Sequence, residues 1–429
     1  MNASSGEKRI LIGQARNDAA ARALSGLTAF ILVLCPIFQH YRGLVTDAGI
    51  EMLLLAFPYT LLRLLTKRSY RVKAILPLAI YAIYISLIHG FSPATLVREL
   101  VLLFYFFAII NDGVDIDRYF GAAKTVAKLA AVLIVVQYFC YYVLHRHLQL
   151  APASRLLESA GQWKDQVATG RISVTGSVMS IYRPSAFFLE PSHFAIYFIP
   201  VLTITLLSAG RDRKRIWESI FLSAAVVLST SGMGVTFVAA IWILYLVFYF
   251  GENEKSGNRI GEHDIKINKT AVGYLVLVLV LFLGLYLSVG FFRSAVNRIF
   301  LNPESGTGNA IQGRTSTGIR LMRMLSGVSL LIGKGNSVKI SDWNVSGFFY
   351  VVFQFGLLGG LVYYWFYFKS LFRLKKAYFW LTVFVMGLSF VTVHTFAAFF
   401  RMYFICHILI AYSRPEALRR KNKKQREAA

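Results

Sequence analysis

The chain has 429 residues, 56% hydrophobic and 16% charged, with a formal net charge of +25. Together with a mean hydropathy of +0.56, this composition excludes an ordinary soluble globule. The apolar residues fall in runs long enough to cross hydrocarbon, and spanning helices satisfy their backbone polar groups without water. The expected fold is an all-α polytopic membrane protein of about twelve transmembrane helices, a single integral membrane domain over residues 1–429.

The N-terminus is polar and basic (Lys8, Arg9, Arg16, Arg22), and the first apolar run lacks a small-residue cleavage site, so that run is expected to remain as the first span. Hydropathy places spans at roughly 23–40, 44–62, 74–90, 95–111, 121–144, 190–208, 216–231, 233–250, 271–292, 346–368, 377–395 and 397–412. Cys35, Cys140 and Cys406 all lie inside apolar runs and are expected to act as small buried hydrophobes, with no disulfide.

An even number of spans puts both termini on one side. Lys67, Arg68, Arg71 and Lys73, then Arg211, Arg213, Lys214 and Arg215, then Lys369, Arg373, Lys375 and Lys376 fall on that side, as does the tail RRKNKKQR. In all, 31 of the 46 basic residues lie there, which makes it cytoplasmic by the positive-inside rule. The other 15 meet only eight acids, so the outer side is also net positive. An anionic ligand would account for that excess. The segment 251–269 and the tail are expected to be solvated or to face anionic lipid, with no part in chemistry.

Two outer segments, 145–189 and 293–345, are much longer than the other connections, and long connections are where a rigid scaffold carries function. The first holds Arg146, Arg155, Arg171 and Arg183; the second holds Arg293, Arg298, Arg314, Arg320 and Arg323. A guanidinium grips phosphate oxygens through a planar fork and keeps its charge when partly desolvated, which suits a diphosphate near a membrane surface. In the second loop an apolar stretch from Ile319 to Leu331 is expected to lie as an interfacial helix. Arg320 and Arg323, three apart, would share one face of it as an anion clamp. Gly313 and the run Gly333-Lys334-Gly335 would let backbone approach a ligand closely or simply turn the chain.

The densest signal is the run Arg183-Pro-Ser-Ala-Phe-Phe-Leu-Glu190-Pro-Ser-His193, where the first long loop enters a span. Pro191 suits the first helical turn, which sets Glu190 at the helix start and His193 a turn further along the same face. The carboxylate can serve as a helix cap. With His193 and Arg183 it can also supply a base or orienter, a proton relay and a phosphate contact in one place. Further along, His394, Arg401 and His407 sit in otherwise apolar spans, where a central charge costs about 3 kcal/mol, so they are expected to face the bundle interior. Arg98 and Glu99 should do the same. As an adjacent base and acid they suit packing or charge neutralisation more than chemistry.

Four landmarks in chain order resemble the Wzy-type O-antigen and capsular polysaccharide polymerases, of the same superfamily as the O-antigen ligases. They are Arg183…Phe-Leu-Glu190-Pro-Ser-His193, Leu228-Ser-Thr-Ser-Gly232, Gly313-Arg314 with Ile332-Gly-Lys-Gly335, and Asn344…Gln354-Phe-Gly-Leu-Leu-Gly359. The likeness covers roughly residues 180–365. The chain departs from it at Trp343, where some members carry His, and in the Arg-to-Gly spacing of the outer loops.

The resemblance implies a GT-C-like bundle in the bacterial inner membrane with its active site facing the periplasm. Its substrates would be undecaprenyl-pyrophosphate-linked glycan donor and acceptor, with membrane lipids and a chain-length regulator as further candidate partners and no nucleic acid. By position, Arg183 and Arg314 would contact the lipid pyrophosphate, joined by Arg320, Arg323 and Arg401. Glu190 is the first candidate base, His193 and His394 the next. No cofactor and no metal are expected, because the Asp115 and Asp117 pair falls on the cytoplasmic side and Asp342 has no acidic neighbour. The alternatives are an O-antigen ligase, differing in acceptor, and a flippase for lipid-linked oligosaccharide. The flippase would need a basic cavity and an internal repeat, and the two halves of the chain show no convincing repeat.

Overall fold

A computed structural model describes residues 24–38, 41, 43, 48–65, 69–88, 93–148, 150, 171–173, 180–210, 212–249, 310–335, 345–396 and 399–413, with isolated positions between 273 and 288. The expected span at 271–292, the basic residues of both termini, Arg155, Arg293, Arg298, Asp342, Trp343 and Asn344 therefore lie outside the described residues, those isolated positions aside.

Apart from the isolated helical positions between 273 and 288, the described residues form thirteen α-helices. The first five are α1 (Leu24–Phe38), α2 (Ala48–Leu65), α3 (Leu76–Ile88), α4 (Pro93–Ile110) and α5 (Ile116–Tyr142). After a two-stranded hairpin come α6 (Pro191–Leu207), α7 (Arg213–Leu228) and α8 (Gly232–Leu244), the last continued by a π-turn to Tyr249. Next are α9 (Ala310–Met322), α10 (Val328–Ile332), α11 (Gly347–Arg373) and α12 (Lys376–Val391), then a 3-10 turn at Val393–Phe396 and α13 (Phe399–Ser413). A helix thus stands at every expected span with described residues. Three of them, α2, α5 and α11, are long and apolar enough to cross a membrane.

The surface fits a lipid solvent. Leu55, Leu62 and Leu65 on α2, and Leu129, Val132, Val135 and Phe139 on α5, are exposed. The buried hydroxyls of Thr60, Ser86, Thr203 and Ser370 donate to carbonyls four residues back in their own helices, so they need no partner from outside. Two of the basic residues assigned to the terminal side meet, Lys369 Nζ donating to the Lys73 carbonyl at 2.9 Å, and nearby in sequence Arg71 pairs with Asp112 at 3.7 Å.

Helix α6 is the axis of the core. Every residue except Ser192 is buried, as expected of a helix apolar on all sides and packed on all sides. It packs against α5, α7, α8 and α12, and Tyr197 stacks on Tyr403 of α13 with ring centres 4.4 Å apart. Because α6 begins at Pro191, this axis fixes where the Glu190 segment sits.

The structure differs from the sequence-based expectation in two places. A hairpin of β1 (Arg171–Ser173) and β2 (Ser180–Tyr182), paired antiparallel with Arg171 opposite Tyr182, lies within the first long loop. Three-residue strands are too short to show a period in the sequence. The interfacial helix of the second loop is also split: α9 begins at Ala310, so Arg314 lies inside it, and the chain turns at Gly327 (φ 52°) before α10. The helical run that the apolar pattern alone would carry through stops at Met322, and Gly327 at positive φ sets the entry into α10.

Candidate functional site

At the start of α6, Glu190 occupies the N-cap position with extended backbone, yet its side chain makes no capping hydrogen bond. The carboxylate instead accepts from the Ser192 hydroxyl, and its Oε1 lies 3.6 Å from His193 Nε2. Pro191 fills the first helical position, where a missing N–H costs nothing, and its fixed φ launches the helix that sets His193 beside Glu190. His193 is 3% exposed against 18% for Glu190, so the carboxylate is the accessible member of the pair. The His193 ring packs on Phe400 of α13 at 5.5 Å.

The segment leading into this site is held by a residue that the sequence reading passed over. Gln137, inside the apolar run of α5, accepts from the Ala186 N–H at 2.9 Å and donates to the Leu148 and Ala186 carbonyls at 3.0 and 3.4 Å. It holds Ala186 in a left-handed turn (φ 52°). Ser185 closes the same turn by donating to the Phe188 carbonyl at 2.7 Å. The signal was available: Gln137 is a lone carboxamide in a 27-residue apolar helix. Tyr182, at the end of β2, stacks flat on Tyr141 at 3.9 Å. Burial first, then the neighbouring Cys140 and Tyr141, push its phenol up to about 12, so it acts as a neutral donor.

Arg183 follows Tyr182, half-buried, between the hairpin and the Ser185 turn. Arg320 is exposed on α9 and Arg323 is exposed just past its end, where the Arg323 N–H still donates to the Ile319 carbonyl. Neither makes an ion pair among the described residues. Arg314 lies within α9, and His394 lies in the 3-10 turn between α12 and α13; their side chains are outside the described residues.

Arg401 faces the bundle interior and forms a buried ion pair with Glu99 of α4, at 6% and 9% side-chain exposure. Its guanidinium also lies 5.3 Å from the centre of the Tyr81 ring on α3. The pair neutralises Arg401 locally, which sets it apart from the loop arginines as a holder of anions. It ties α4 to α13 at the residue that follows Phe400, on which His193 packs. His407 is fully buried, with Nδ1 2.8 Å from the Tyr403 carbonyl and 3.2 Å from the Tyr119 hydroxyl.

The third and fourth landmark segments are clasped together. Helix α11 is broken at Gly356 (φ 70°, ψ −177°), and α10 ends at Gly333 (φ 81°, ψ −177°), both in a backbone region open essentially to glycine alone. The Lys334 N–H donates to the Phe353 carbonyl at 2.9 Å. A Cβ at Gly333 would lie 2.3 Å from the Gln354 carbonyl oxygen, and one at Gly356 would lie 2.1 Å from that of Leu331. Glycine is required on both sides of this contact for backbone to meet backbone.

No family model matches the chain, and no curated protein sequence matches it. Among the described residues, no three His, Cys, Asp or Glu side chains gather closely enough to hold a metal ion. The Asp115 carboxylate caps α5 by accepting from the Arg118 N–H at 3.1 Å and pairs with the Arg118 side chain at 3.4 Å.

Proposed function

We propose that the chain polymerises undecaprenyl-pyrophosphate-linked oligosaccharide repeat units at the outer face of a bacterial inner membrane, in a bundle of about twelve spans. The observation that carries this reading is the Glu190–Ser192–His193 cluster: a carboxylate at a helix start that is released from capping, partly exposed, and backed by a buried imidazole. The four landmark segments, resembling those of the Wzy-type polymerases, supply the substrate class.

In this mechanism a hydroxyl oxygen of the incoming repeat attacks the anomeric carbon of the growing chain. The bond from that carbon to the pyrophosphate oxygen breaks, and the pyrophosphate leaves with the electron pair. The hydroxyl proton passes to Glu190, which His193 and Ser192 orient, with His394 as the alternative base. Arg183 and Arg314, with Arg320 and Arg323, stabilise the charge that develops on the leaving pyrophosphate. Arg401 serves the framework through Glu99. Transfer should proceed without a metal, and laddering that persists in chelator is the expected result.

The test is glycan laddering from purified protein and synthetic lipid-linked repeats, comparing wild type with Glu190→Gln and Arg314→Ala. Ladders lost in folded variants support the reading. An active ligase would instead move glycan onto lipid A core and form no ladder. One observation favours a second reading: a helix broken near its middle, as α11 is, is a feature of transporters. Lipid-linked repeats crossing liposomes without laddering would establish the flippase.

A further inference from the structure

We infer that the break in α11 is a glycan subsite, in which the Gln354 carboxamide accepts a hydrogen bond from a sugar hydroxyl or N-acyl N–H. This inference rests on the polymerase reading for its ligand class, and on the geometry of the break for its place.

A break in a buried helix frees backbone carbonyls, and here the chain recaptures them. The Phe353 carbonyl takes the Lys334 N–H at 2.9 Å, and the Phe355 carbonyl takes the Tyr84 hydroxyl of α3 at 2.6 Å. Between these two satisfied positions stands Gln354. The residue is 4% exposed, and its side-chain oxygen is buried with no hydrogen-bond partner among the described residues. A buried acceptor without a donor is destabilising in itself, and a native structure keeps one where something else fills it.

The number of acceptors selects the class of ligand. A bare divalent cation takes about six oxygens, and the two flanking carbonyls, of Phe353 and Phe355, are already engaged. One neutral acceptor fits one neutral donor. The surroundings suit a sugar ring: Phe355 lies 6.2 Å from Tyr81 and 6.4 Å from Tyr350, and Tyr350 shares a helix face with Gln354, four residues on. Aromatic side chains with a few placed polar groups are the usual composition of a small-ligand site, and here the Arg401 guanidinium stands 5.3 Å from the Tyr81 ring as well.

The Gly333–Gly356 contact holds this acceptor in place. The two backbones touch there, which puts the Gly333-Lys334-Gly335 turn at the edge of the subsite. That gives the third and fourth landmarks a shared role.

The experiment uses full-length protein in nanodiscs and two probes, undecaprenyl pyrophosphate and lipid-linked repeats extracted from a host strain lacking this protein. Affinity and melting temperature are measured for wild type, Gln354→Met and Gln354→Glu. The expected result is at least tenfold weaker binding of the glycosylated lipid by Gln354→Met, unchanged binding of the bare lipid, and an unchanged or higher melting temperature. Gln354→Glu, which keeps an acceptor, should retain affinity for the glycosylated lipid. A lower melting temperature for Gln354→Met with unchanged affinities would show a structural residue and overturn the subsite. Equal weakening for both probes would overturn its assignment to the glycan. If the expected contrast holds but wild type builds no ladder, the subsite stands and the polymerase reading falls.

Discussion

Replacing Glu99 with Gln leaves the Arg401 guanidinium buried beside Tyr81 with its counter-charge removed. At a contact distance of about 3 Å and an effective dielectric near 20, the lost attraction is about 5 kcal/mol before relaxation. Measured losses on breaking buried pairs run about 3–5 kcal/mol, and the same range is expected here because both side chains are less than a tenth exposed. The Tyr81 ring 5.3 Å away, worth about 2 kcal/mol to a desolvated cation, is present before and after the change and does not replace the lost charge. Changing both residues, Glu99→Met with Arg401→Met, should restore most of the stability, since two desolvated charges are removed together. Unfolding of wild type, Glu99→Met, Arg401→Met and the double variant in mixed micelles, followed by tryptophan fluorescence, gives the coupling energy. A cost below about 1 kcal/mol for Glu99→Gln, or additive effects in the double variant, would refute the buried-pair account. Under the proposed function, a stable double variant that still extends glycan would also show that Arg401 holds helices together and does not hold pyrophosphate.

Gly356→Ala should destabilise by about 3 kcal/mol or more, because the backbone region excludes a side chain and the new Cβ meets the Leu331 carbonyl; an unchanged melting temperature would count against the break. Gln137→Leu removes the grip on Ala186 and should cost about 1–3 kcal/mol, with faster proteolysis at residues 182–188 and reduced laddering. Ser192→Ala should lower the rate of laddering with little effect on melting temperature, and an unchanged rate would remove that hydroxyl from the site. Tyr182, whose phenol is raised to about 12, stabilises the fold fully below its unfolded value near 10, and this contribution is lost as pH rises toward 12. Tyr182→Phe should therefore flatten the stability-against-pH profile in that window.

The helical segments were legible in the sequence because membrane hydropathy is a local property that needs no knowledge of neighbours. Pro191 likewise announced the start of α6 and, through helical spacing, the closeness of Glu190 to His193. The hairpin at Arg171–Tyr182 and the split between Met322 and Val328 were not legible, since one has strands too short to show a period and the other falls inside an unbroken apolar pattern. Gln137 was visible as a polar residue in an apolar run, but its purpose depends on a loop 49 residues later in the chain.

By itself, the sequence determined the apolar runs of this protein, the placing of its described helices and the closeness of Glu190 to His193 at the start of α6, because each follows from the order of neighbouring residues. Only the tertiary structure decided which charges meet. Arg401 finds Glu99 across 302 positions of chain, and Gly333 meets Gly356 backbone to backbone, because packing turns contacts distant in sequence into the nearest neighbours in space.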